Sequence, residues 1–161
     1  MDFQIRKMQK EDIRQVQAVA KTTWNATYAG IIPDDIQEKF LSAAYSDERM
    51  EYRIHHSLLF VAEAEGKIVG FANYSPVNEN GEAELGAIYI YPEYQGVGIG
   101  TALLNEGIEP LPELKKLYIH VERDNEIGKK FYQAKGFQNV REFDDTFAGH
   151  TLETIQMVLE V

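Results

Sequence analysis

Phe3-Gln4-Ile5-Arg6-Lys7 alternates apolar and polar side chains and opens the chain as a short strand. The period then changes. From Glu11 to Trp24 the apolar residues Ile13, Val16, Ala20 and Trp24 recur at helical spacing, and Glu11 and Asp12 suit a first turn, where the helix dipole is positive. Asn25 to Pro33, NATYAGIIP, reads as a loop. Pro33 is placed to open a second helix whose buried face is Ile36, Phe40, Leu41 and Ala44. Ser46 caps a third helical stretch through Met50 and Ile54.

After His56 the period is that of strands. Leu58 to Ala62 and Lys67 to Ala72 flank Glu65-Gly66 as a hairpin, and Asn78 to Gly81 is the next turn. Glu84 to Ile90, ELGAIYI, is a strand, and Thr101 to Ile108 is a helix closed by Pro110 and Pro112. Leu117 to Val121 is a strand, Asn125 to Lys135 a helix ended by Gly136, and Phe137 to Phe143 and Thr151 to Leu159 are the last strands. The order predicts a single α/β (α+β) domain over residues 1–161. Its sheet is mixed and mostly antiparallel, of six to seven strands flanked by helices, with a βαβ crossover at its centre.

Composition narrows the function. At 161 residues, 44% hydrophobic and 26% charged, the chain has the length and makeup to bury a substantial core. It has no cysteine, and His55, His56, His120 and His150 lack ligand spacing, so no metal is expected. The N-terminal MDFQIRKMQKED has no apolar signal core and no apolar run reaches about 18 residues, which predicts a soluble, cytoplasmic protein with no membrane partner. A net charge of −10 disfavours nucleic acid, which needs a basic face, and draws cations instead.

The most specific stretch is YPEYQGVGIGTALL, Tyr91 to Leu104, where Gly96, Gly98 and Gly100 separate a strand from a helix. A bare turn would account for them. So would an anion, because the first helical amides lack internal partners and glycine lets a bulky ligand reach them. A Walker loop fails, since Thr101 follows Gly100 with no lysine between. A dinucleotide loop fails on spacing, G-x-G-x-G against G-x-G-x-x-G.

Gln95, Gly98 and Gly100 do fit Q-x-x-G-x-G, and Asn125-Glu126-Ile127-Gly128-Lys129-Lys130-Phe131-Tyr132 with Gly136-Phe137 fits N-x-x-A-x-x-F-Y…G-F, with Gly128 in place of alanine. In these two motifs the chain resembles the GNAT superfamily of acyl-CoA-dependent N-acetyltransferases. The resemblance implies acetyl-CoA as cosubstrate, its pyrophosphate on Gln95, Gly96, Val97, Gly98, Ile99, Gly100 and Thr101, and its pantetheine arm beside Ile88, Tyr89 and Ile90. Asn125 implies a further contact to that arm, or an N-cap, or both. The Trp24, Tyr28 and Pro33 loop and the segment Phe143 to Gly149 are also similar to bacterial GNAT proteins that acetylate polyamines.

Acetyl transfer needs a base for the amine, a donor for the developing oxyanion and an acid for the thiolate. By the resemblance Tyr132 is the acid, Glu84 the base, and the backbone amide of Ile90, at a bulge, the oxyanion donor. Glu82 lies on the face of Glu84 and can replace it, as can water. Trp24, Tyr28, Tyr74 and Glu82 are the candidate acceptor residues; packing is the alternative role for Trp24 and Tyr28. The expected acceptor is a small, cationic primary amine, with a second copy of the chain as the only further partner. A peptide acceptor, or an acyl-CoA-binding module without turnover, are the competing readings.

Overall fold

The computed structural model describes residues 2–161. Seven strands, β1 (Phe3–Lys7), β2 (Leu58–Ala64), β3 (Lys67–Tyr74), β4 (Glu82–Ile90), β5 (Lys116–Glu122), β6 (Gln138–Phe147) and β7 (His150–Glu160), form one sheet in the order β1-β2-β3-β4-β5-β7-β6. Every neighbouring pair is antiparallel except β4–β5, which the crossover helix α4 (Ile99–Ile108) makes parallel. On one face α1 (Ile13–Tyr28), α2 (Asp34–Ala44) and α3 (Asp47–His56) bury Val16, Val19 and Met50 against Val61 and Phe71. On the other, α4 and α5 (Glu126–Ala134) close a second core around Leu103, Leu117 and Ile119. The mixed, mostly antiparallel sheet with a central crossover is therefore the fold that forms.

One predicted boundary fails. α1 follows a 3-10 turn over Lys10–Asp12 and runs on to Tyr28, so Asn25 to Tyr28 is helix rather than loop. The reason is packing: Trp24 and Tyr28 continue the stripe of Val16 and Ala20 at four-residue steps, and both are buried. The chain turns only at Gly30, whose φ of +79° suits a residue without a side chain. At the third helix Ser46 Oγ accepts from the Arg49 amide at 3.2 Å, as its residue type predicts.

Between β3 and β4 the register slips. Tyr74 pairs with Leu85 and Asn73 with Ala87, which leaves Gly86 as a bulge. Side chains alternate with period two, so one extra residue reverses the facing of everything after it. Ala83 and Leu85 face the α4 side before the bulge, Ile88 and Ile90 face it afterwards, and Ala87 and Tyr89 turn toward α1. Glu82 and Glu84 consequently share the α1 face with Tyr89. The bulge expected at Ile90 lies instead at Gly86.

No helix among the described residues is long and apolar enough to cross a membrane, and no three histidine, aspartate or glutamate side chains among them group as a metal site.

Candidate active site

β4 and β5 pair only from Glu82–Lys116 to Glu84–Tyr118 and then diverge, opening a fork in the middle of the sheet. Which amides face it follows from alternation along an antiparallel strand. The Tyr91 N–H donates to the Val69 carbonyl at 2.9 Å, so the N–H groups of Ile88 and Ile90 point away from β3, into the space β5 has left. The Ile90 amide expected for an oxyanion is thus aimed into the fork, and the Ile88 amide is aimed there beside it.

At the mouth of the fork the chain passes through the glycine loop into α4. Gly96 (φ +81°) and Gly98 (φ +94°) both adopt the left-handed conformation, and a Cβ built on either would meet nothing within 4 Å. The first amide to find a helical acceptor is that of Ala102, which donates to Gly98 O at 3.0 Å. The amides of Gly96 to Thr101 therefore stand open around an unobstructed space, which fits a pyrophosphate. Gln95 closes the loop from below by donating through Nε2 to Ile90 O at 3.0 Å. Gly100 serves a different purpose from Gly98: a Cβ there would lie 3.0 Å from Phe131 Cε1 and 3.4 Å from Ile90 Cδ1. Its small size lets α4 pack on α5, and only its N–H is left for a ligand.

Tyr132 reaches the fork from the α5 side. Its ring sits against Phe131 and Phe137 at 5.5 and 5.4 Å, and its hydroxyl makes no hydrogen bond among the described residues. Burial pushes this phenol well above its ordinary value of 10.0, so it remains a proton donor throughout the neutral range. Tyr28 reaches the same gap from α1, near Asn125 and near enough to Glu122 that burial first and then that carboxylate's charge hold its phenol up. Asn125 caps α5 by accepting from the Gly128 amide through Oδ1 at 2.9 Å. A Cβ at Gly128 would come within 2.7 Å of Asn125 Nδ2, so the glycine found there leaves the Asn125 amide its position.

The remaining predicted residues divide. Glu84 is exposed at the crotch of the fork, with His120 Nδ1 3.5 Å from its Oε1. His120 carries no signal in the sequence; only the parallel register brings it beside Glu84. Glu82 accepts from Tyr118 OH at 3.4 Å, one step farther from the opening. Trp24 belongs to the wall: its Nε1 donates to Tyr89 OH at 2.9 Å and its ring packs on Phe40 at 4.2 Å and on Tyr28 at 4.7 Å, so the indole is engaged in packing. Tyr74 does not join the site. It is fully buried under α4, donates to Leu103 O at 3.0 Å, and its ring occupies the space a side chain at Gly107 would need. The α4 helix claims the very hydroxyl that an acceptor would have needed.

The α1 side of the fork has a roof. The β6–β7 hairpin brings Phe147 against Phe40 at 5.6 Å, and Leu152 packs on the cluster of Trp24, Tyr28 and Ile32. Beneath it Glu122, which no sequence motif marks, ends β5 on the α1 face and accepts from Thr154 Oγ1 at 3.3 Å.

Comparison with known proteins gives the family. The model of the acetyltransferase (GNAT) family matches residues 23–137. The chain is 34% identical over 149 residues to the spermidine N(1)-acetyltransferase of Thermoplasma acidophilum, covering 86% of this chain and 89% of that one. It is 36% identical over 89 residues to the spermine/spermidine N(1)-acetyltransferase of Bacillus subtilis, covering 50% of this chain and 59% of that protein. The crystal structure of the PaiA N-acetyltransferase from Thermoplasma acidophilum in complex with coenzyme A matches with a TM-score of 0.87 at 28% identity, over the full length of both chains.

Proposed function

The chain belongs to the GNAT acetyltransferase family, and from that membership we propose that it moves an acetyl group from acetyl-CoA to a primary amine of a small, cationic molecule, with both substrates bound at once. The observation that carries the reading is the fork. It joins open loop amides on one side to inward-facing strand amides and a free phenol within, and leads to an acidic floor on the other side.

Acetyl-CoA supplies the activated thioester. The amides of Gly96 to Thr101 hold its pyrophosphate, and Ile88 and Ile90 flank the arm that enters the fork. An Ile88 or Ile90 N–H then meets the charge that develops on the carbonyl oxygen, which fixed donors stabilise without reorganising. Tyr132 donates its proton to the departing sulfur. Its raised pKa makes it a weak acid but keeps it loaded with a proton across the working range. An alkylammonium with a pKa near 10.4 is under about 0.1% deprotonated at neutral pH, so Glu84 takes its proton, through water, at the fork's exposed edge.

The hairpin roof favours a small acceptor over a peptide, since Phe147 and Leu152 stand where an extended chain would need an open groove. Release of free thiol from acetyl-CoA, followed over polyamines, amino acids, aminoglycosides and peptides, tests the proposal. Turnover with small cationic amines supports it. Turnover confined to peptides would move the acceptor class, and binding of coenzyme A without turnover on any acceptor would leave a binding module.

A further inference from the structure

We propose that Glu122 binds the non-reacting ammonium of the acceptor, so that the preferred acceptor carries at least two positive charges; this rests on the acetyltransferase reading above. Glu122 faces α1 because Val121 before it is buried in the α4-side core and successive strand residues alternate, and Thr154 opposite it on β7 shares that face. Its carboxylate accepts from Thr154 Oγ1 and forms no ion pair among the described residues. The charges that act on it, Asp145 and Asp124, have its own sign and push its pKa up after burial does. The phenol of Tyr28 stands near it, and Leu152, two residues before Thr154 on β7, packs on the cluster that holds Tyr28.

Glu122 and Glu84 lie on one face, at separate stations. Glu84 is level with Tyr118, and Glu122 is four residues farther along β5, about 13 Å at strand rise. A nitrogen attacking at the fork hands its proton toward Glu84, while a second ammonium on the same alkyl chain reaches Glu122. A monoamine leaves the Glu122 carboxylate half-buried and without a counter-charge, and that penalty discriminates against it.

The test is calorimetric titration of the protein saturated with coenzyme A, using spermidine and propylamine, on the wild type, Glu122→Gln and Glu122→Asp. The wild type should bind spermidine, Glu122→Gln should bind it roughly tenfold or more weakly, and Glu122→Asp should recover part of the loss. Propylamine affinity should hold or rise, because the uncompensated carboxylate is gone, and the melting temperature of Glu122→Gln should not fall. Where spermidine turns over, the loss should appear in KM with kcat held within about twofold, as uniform binding requires. Spermidine affinity equal in wild type and Glu122→Gln, or wild-type affinity no greater for spermidine than for propylamine, overturns the assignment. Selective binding without thiol release would uphold Glu122 and overturn the acetyl-transfer reading instead.

Discussion

Asp12 and Glu122 are both carboxylates drawn out of water, and the protein treats them in opposite ways. Asp12 is 5% exposed and receives Arg6 Nη1 at 2.8 Å, Arg6 Nη2 at 3.0 Å and the Gln9 amide at 2.8 Å. Burial alone would raise its pKa, but the hydrogen bonds from Arg6 and Gln9 outweigh burial and hold it below the usual carboxylate value. The same contact raises the Arg6 guanidinium further, with help from Glu63. Glu122 has one hydroxyl donor, so burial wins and its pKa is raised, with Asp145 and Asp124 adding to the effect. A carboxylate that the fold completes is part of the fold; one left incomplete keeps its charge without an internal counter-ion.

Asp12 is the carboxylate whose loss should cost the protein most. Asp12→Asn removes the charge that Arg6 grips and should cost about 3 kcal/mol in urea unfolding, the range for breaking a buried pair. A loss under about 1 kcal/mol would mean that Glu63 alone satisfies Arg6.

Tyr132→Phe tests the other side. Its hydroxyl has no partner to lose, so the melting temperature should hold, while kcat falls by roughly 100-fold with acetyl-CoA affinity little changed. Turnover within about twofold of wild type would remove Tyr132 as the acid.

The pH dependence of stability should separate the two carboxylates by sign. Asp12 has a depressed folded pKa, so its contribution is present above the ordinary carboxylate pKa and disappears as pH falls through the folded value. Glu122 has a raised folded pKa, so the folded state is favoured below the ordinary value and loses that advantage as pH rises through the folded one. Glu122→Gln should therefore be more stable than wild type at neutral pH, and the gain should vanish below about pH 4. Thermal melts across that range check it, and a Glu122→Gln protein less stable at neutral pH would give the residue a structural role.

The smallest effect belongs to Thr154→Val, which removes the one donor that Glu122 has. It should shift stability by less than about 1 kcal/mol while raising the spermidine KM by a few-fold, because the carboxylate loses orientation but keeps its charge.

The same contrast explains what was legible in the chain. The turn at Gly96 and Gly98 and the Asn125 cap were readable because their causes are local, a run of residue types at fixed spacing along one strand–helix or one helix. The hairpin turn at Glu65 and Gly66 was readable for the same reason, and both residues do take positive φ, 54° and 77°. Tyr74 was misread because the bulge at Gly86 and the missing side chain at Gly107 are properties of pairing and packing, and neither is written beside residue 74. Glu122 and His120 were passed over because their partners, Thr154 and Glu84, lie 32 and 36 residues away and meet them only in the folded sheet.

If the fork is where an amine takes an acetyl group, the protein must turn acetyl-CoA over. Incubation of the protein with acetyl-CoA and spermidine, with free thiol and product mass measured together, addresses that most directly. Singly acetylated spermidine should appear in step with the thiol released, and both should be lost in Tyr132→Phe. Thiol released without acetylated amine, or coenzyme A bound with no thiol released for any amine, would contradict it.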